Sequence, residues 1–199
     1  MKTAILTPPI SSFASAIDFV IKSGRAVLYP IYKGTYERGD DLKSDVPDTS
    51  SSYRDHVIAW SKDLGRSIDY LESRPEVDRN KFAYYGLSWG AALGGVLPAI
   101  ESRIKACVLY IGGFYLQKAL PEVDQINFVS RMNKPALMLN GRYDFYVPIQ
   151  TSQLPFFRLL GSSKEDKRHV LYEGGHNIPR NELIKETLNW LDRYLGPVK

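Results

Sequence analysis

A lone serine, Ser88, stands between two glycines in Gly86-Leu87-Ser88-Trp89-Gly90, where the apolar run "KFAYYG" (81–86) gives way to the small residues "GAALGG" (90–95). A serine hydroxyl is a weak nucleophile near neutrality. It needs a base within hydrogen-bond reach, and the base needs a carboxylate that holds it in one tautomer. The chain has three histidines, so the search is short. His56 lies within the helical pattern "YRDHVIAW" and His169 opens an apolar run, so both are expected to be structural. His176 follows "VLYEGG" at the far end of a strand-like run, on a glycine-flanked turn before Pro179, and is the expected base. For the acid, Asp144 in "LMLNGRYDFYVP" (137–148) comes just beyond an apolar run and before Pro148. Asp124, Glu101, Glu165 and Asp166 also lie between Ser88 and His176, but none follows a strand end closely. A plainer role for Asp144 is that of a turn residue capping a helix after Pro148.

Such residues act together only if a scaffold brings them to one place. Short apolar runs alternate with longer helical patterns along the chain, the signature of a mostly parallel sheet covered by helices. The strands are expected at 25–32, 81–86, 106–112, 135–141 and 168–174, with "KTAIL" (2–6) a weaker sixth. Helices are expected at 13–24, closed by Gly24, and at 53–75, where Val57, Trp60, Leu64, Ile68 and Leu71 recur at spacings of three and four. A last helix runs from Glu182 to the stop signal Gly196-Pro197. The polar segment 37–52 is the longest expected loop. No repeat, linker or low-complexity tract divides the 199 residues, and a single α/β domain over 1–199 is expected. In a parallel sheet, sites gather at the carboxyl ends of the strands, and Ser88, Asp144 and His176 each follow one. The two glycines around Ser88 allow a strained strand-to-helix turn that lifts its hydroxyl into the open.

From about residue 13 onward the chain resembles an α/β-hydrolase of the prolyl oligopeptidase and dienelactone hydrolase-like group. "SIDYLESRPEVDRNKFAYYGLSWGAALGG", "KPALMLNGRYDFYVP" and "YEGGHNIPR" match that group's nucleophile elbow, acid loop and histidine loop. The order Ser88, Asp144, His176 is the order of that fold. The resemblance implies acyl transfer to water through a serine acyl-enzyme. It also implies further strands ahead of the first one visible here, so this sheet of five to six strands is expected to be N-terminally minimal. The runs "KTAIL" or "RAVLYPIY" would then form an apolar sheet edge, through which copies of the chain could pair into a homo-oligomer.

Acyl transfer needs hydrogen-bond donors aimed at the developing oxyanion. The backbone N–H of Trp89 is one expected donor. The glycine-rich loop that ordinarily supplies the second is replaced here by "LTPPISSF" (6–13), whose Pro8 and Pro9 have no N–H, leaving Thr7, Ile10 or Ser11. Aromatic residues crowd the strand ends. Tyr32, Phe114 and Tyr146 are expected to line a substrate pocket, and Trp89 to narrow its acyl side, which suits short acyl groups. The expected activity is therefore a carboxylesterase on small-molecule, short-chain esters. A small peptidase or acyl-peptide hydrolase is the alternative within enzymes, although no acidic pair marks an amine-binding subsite. Outside enzymes, the alternative is a binding module on a hydrolase scaffold with an incomplete oxyanion hole.

Composition narrows the partners. The net charge of +4 comes from 26 basic and 22 acidic residues that are interleaved, as in "SSKEDKRH" (162–169), rather than clustered into a phosphate-binding stripe. No nucleic-acid partner is expected. The N-terminal "MKTAILTPPISSF" has too short an apolar run for a leader or a membrane span, and the one cysteine, Cys107, sits in an apolar run as a buried hydrophobe would. A cytoplasmic location without membrane association is expected. No pair of His, Cys or Asp has metal-ligand spacing, and no metal or organic cofactor is expected.

Overall fold

The computed structural model describes residues 2–6, 13–42 and 44–198. Strands β1 (Lys2–Leu6), β2 (Ala26–Leu28), β3 (Val77–Leu87), β4 (Ile104–Tyr110), β5 (Ala136–Gly141) and β6 (Lys167–Tyr172) form one sheet, every pair parallel, in the order β2-β1-β3-β4-β5-β6. The α/β class and the parallel sheet read from the sequence are what the fold has. "KTAIL" is not an edge, however: β1 lies between β2 and β3 and pairs with both. The edges are β2 and β6. Of the long run expected at 25–32, only Ala26–Leu28 is strand, and Pro30, without an N–H, comes two residues beyond its end.

Helices α1 (Phe13–Lys22) and α6 (Arg180–Leu195) cover one face of the sheet, and α2 (Ser51–Glu72), α3 (Trp89–Leu93), α4 (Leu97–Ile100) and α5 (Leu154–Leu159) the other. The two-residue period of the strands divides the core between these faces. Phe82 and Tyr84 of β3 with Cys107 and Leu109 of β4 face Trp60, Leu64 and Ile68 of α2, whereas Ala83, Tyr85, Ala106 and Val108 face Leu183, Trp190 and Leu191 of α6. The central strands are buried on both faces, which is why they read as continuous apolar runs. α2 begins at a Ser50 cap, whose hydroxyl accepts the Tyr53 N–H at 3.1 Å. Cys107 is buried, and that burial pushes its thiol up to about 12. Among the described residues, no helix is long and apolar enough to cross a membrane.

Candidate active site

β3 delivers Ser88 and α3 begins one residue later. The turn between them is too tight for ordinary backbone. Ser88 has φ 50° and ψ −110°, a conformation that L residues avoid and that persists only where the surroundings impose it. Those surroundings are specific. A Cβ on Gly86 would lie 2.3 Å from the Gly90 carbonyl oxygen, so only glycine lets the helix start double back over the strand end. The same Gly90 oxygen accepts the buried Tyr84 hydroxyl at 2.6 Å, and the Ser88 N–H donates to Tyr110 of β4 at 2.9 Å.

Asp144 follows β5 and is 2% exposed. Its loop is closed by the buried Gln153 amide, which donates to the carbonyls of Gly141 (3.1 Å) and Val147 (2.8 Å). His176 follows β6. Its loop lies directly against the acid loop because Gly141 has no side chain: a Cβ there would meet the Gly175 carbonyl oxygen at 1.9 Å. The Tyr143 N–H donates to Gly174 O at 2.8 Å. From the other side, the Tyr110 hydroxyl donates to Asn177 Oδ1 at 2.8 Å and accepts the Ile178 N–H at 3.4 Å. Gln153 and Tyr110 did not stand out in the sequence, because nothing local distinguishes a polar side chain that braces a neighbouring loop.

These supports bring the three residues into one hydrogen-bonded series. Ser88 Oγ lies 2.8 Å from His176 Nε2, and His176 Nδ1 lies 2.7 Å from Asp144 Oδ2. The serine and the imidazole are half-buried while the carboxylate is sealed. One ring nitrogen of the imidazole therefore faces the hydroxyl while a buried carboxylate meets the other, an arrangement able to move a proton off the serine.

Other residues expected at the site fall elsewhere. The Trp89 backbone N–H sits in the first turn of α3, where a helix leaves such groups without an internal partner. Its indole does not narrow a pocket. It is 6% exposed and turned into the core, edge-on to Trp60 at 4.8 Å and to Tyr32 at 6.5 Å. Tyr32 is fully buried and Phe114 nearly so, packed on Phe156 at 5.1 Å, so neither presents an open surface to substrate. Of the three pocket residues, Tyr146 alone is exposed, with its ring 4.8 Å from the His176 imidazole. Residues Thr7, Ile10 and Ser11, from which a second oxyanion donor was expected, lie outside the described residues.

The fold also assembles a group that the sequence spacing hid. One ligand atom each from Asp40, Asp41 and His56 lies within 4.8 Å of the others. Asp40 is already engaged: its carboxylate pairs with the Lys33 ammonium and meets His56 Nε2 at 3.0 Å, which holds its carboxyl well below the usual range. His56 Nδ1 donates to Ser52 O at 2.8 Å, so this histidine fastens loop to helix, as expected of a structural residue. His169 is structural too: it lies in β6, beside Phe157 at 5.5 Å.

The model of the dienelactone hydrolase family matches residues 11–174. The chain belongs to that family. An uncharacterized protein of Mycobacterium tuberculosis is 27% identical over 148 residues, covering 67% of this chain and 51% of its own length. The chain thus spans about half the length of the curated relatives it matches. Solved structures share the family fold. A cold-adapted esterase from an Arctic intertidal metagenomic library has a TM-score of 0.73 at 20% identity, over 98% of this chain and 83% of that one. The 2,6-dihydroxy-pseudo-oxynicotine hydrolase has a TM-score of 0.74 at 18% identity, over 98% and 61%. An α/β-hydrolase from Penicillium sp. sh18 has a TM-score of 0.74 at 13% identity, over 98% and 90%. At these identities the likeness is one of fold, and residue roles rest on the geometry above.

Proposed function

We propose that this chain is a serine hydrolase that cleaves small carboxylic esters with short acyl groups. The observation that carries the reading is the continuous series Ser88 Oγ, His176 Nε2, His176 Nδ1, Asp144 Oδ2, with contacts of 2.8 and 2.7 Å. Ser88 Oγ attacks the ester carbonyl carbon as its proton passes to His176 Nε2. Asp144 stabilises the resulting imidazolium, and the Trp89 N–H donates to the oxyanion. The bond from carbonyl carbon to alcohol oxygen then breaks, and His176 returns the proton to the leaving oxygen. Water repeats the sequence on the acyl-serine, releasing the acid and restoring Ser88. The restriction to short acyl groups is the part of the reading that an acyl-length series must test, since Trp89, Tyr32 and Phe114 are packed into the core.

Labelling with a fluorophosphonate probe, followed by peptide mapping, tests the nucleophile. Wild-type chain takes up the probe at Ser88 and Ser88→Ala does not; a labelled Ser88→Ala sinks the assignment. Turnover of an ester series of increasing acyl length, beside a peptidyl amide, tests substrate class: faster cleavage of the amide favours the peptidase alternative.

A further inference from the structure

We infer that Phe145 and Tyr146 form an aromatic platform for the alcohol half of the ester, so that esters of planar, aromatic alcohols are the preferred substrates. The inference rests on the serine-hydrolase reading and deepens it. Phe145 and Tyr146 are 73% and 62% exposed, although each has a ring that burial would favour, and they stack on one another with centroids 4.0 Å apart at 33°. The stack ends at the imidazole: the Tyr146 ring lies 4.8 Å from that of His176.

The chemistry decides which half of the substrate meets this surface. His176 must hand its proton to the oxygen that leaves, so the carbon attached to that oxygen lies on the imidazole side of the scissile bond. The acyl chain points away, toward the elbow. Tyr146 is therefore the first side chain met by the leaving alcohol, and Phe145 extends the same surface outward. The platform is fixed relative to the base. Asp144 Oδ2 holds His176 while Oδ1 of the same carboxylate accepts the Tyr146 backbone N–H at 3.0 Å, so one side chain holds both the imidazole and the backbone from which the ring projects. A flat alcohol group can lie along the stack, whereas a short alkyl group reaches only its inner edge.

The test compares kcat/KM for benzyl butyrate and ethyl butyrate in wild type, Phe145→Ala and Tyr146→Ala. Because both rings are exposed, their truncation leaves the core intact. The wild-type ratio of benzyl to ethyl should exceed one and should fall about three- to tenfold in each variant, the effect of one lost ring contact. A wild-type ratio of one or less, or a ratio unchanged in both variants, overturns the platform. Failure of wild type to hydrolyse either ester refutes the short-acyl-ester reading instead. The platform is then judged by calorimetric binding of 2-naphthol to Ser88→Ala: weakening of three- to tenfold on adding Tyr146→Ala supports it, and equal or absent binding overturns it.

Discussion

Asp144 reaches His176 with one carboxylate oxygen and holds its own loop with the other. Oδ2 lies 2.7 Å from His176 Nδ1, while Oδ1 accepts the backbone N–H groups of Tyr146 (3.0 Å) and Val147 (3.3 Å). The division of labour separates charge from shape. An asparagine placed with its carbonyl oxygen toward the loop keeps both backbone bonds, but turns an N–H₂ donor toward the imidazole and favours the wrong tautomer. Asp144→Asn should therefore lower kcat by about 10⁴-fold with little change in KM or in thermal unfolding. Steady-state kinetics on a short-chain ester decide this. An equal loss in Asp124→Asn would move the acid elsewhere, although Asp124 caps a short turn through the Ile126 N–H at 3.1 Å, far from this role.

The backbone of Ser88 makes a prediction about stability that is independent of turnover. At φ 50° and ψ −110° the residue holds strain of about 1–3 kcal/mol, which glycine relieves and alanine does not. Glycine also gives back about 0.5–1 kcal/mol through its freer unfolded chain. Ser88→Gly should thus unfold at a higher temperature than Ser88→Ala, by about 1 kcal/mol of stability. Differential scanning calorimetry of the two variants checks it, and the reverse order would show that the elbow is unstrained.

Acid stability should depend on His169. Burial pushes its folded-state value down to about 4, while in the unfolded chain it returns to the ordinary histidine value of about 6.5. Between these values the unfolded chain binds a proton that the folded chain refuses, so stability is lost as pH falls from about 6.5 toward 4 and is fully present above that window. Its Nε2 is buried without a partner, so replacing the ring with an apolar one leaves no donor stranded. His169→Phe should flatten the dependence of Tm on pH across this window. A slope equal to that of wild type would assign the acid loss to other groups.

How much of this was legible beforehand depended on whether the signal was local. The glycines flanking Ser88, the strand ends before Asp144 and His176 and the alternation of strand with helix are written in short stretches, and the structure brings those stretches together. The misreadings concern which neighbour covers a side chain. Tyr32 and Trp89 follow strands as pocket residues would, but Trp60 of α2 packs edge-on to Trp89, which packs in turn on Tyr32, and all three are buried. In α6 a charged residue, Glu186, is buried beside Trp190 because Arg168 of β6 meets its carboxylate at 2.7 Å, a pairing between elements that no local spacing shows. The Asp40 and His56 contact joins residues 16 positions apart through a loop that has no periodicity to read. The place of β1 inside the sheet follows from its pairing with β3, more than 70 residues on, which no window of sequence contains.

Trp60 connects this covering helix to the elbow, and its replacement should register in both stability and chemistry. The side chain is fully buried, edge-on to Trp89 at 4.8 Å and to Tyr53 at 5.9 Å, and its Nε1 donates to the Lys33 carbonyl at 2.7 Å. Trp60→Phe keeps an aromatic ring but leaves a smaller volume and an acceptor without its donor. The two effects together should cost about 2–4 kcal/mol. Because Trp89 follows Ser88 directly, a looser seat for its indole lets the elbow drift, and a shift of a few tenths of an ångström lengthens the 2.8 Å approach of Ser88 to His176. The fluorophosphonate labelling rate should fall together with Tm. Trp60→Tyr, whose hydroxyl can turn toward Lys33, should recover part of both. A Trp60→Phe variant with reduced Tm but an unchanged labelling rate would show that the core beneath the elbow supports the fold without setting the position of Ser88.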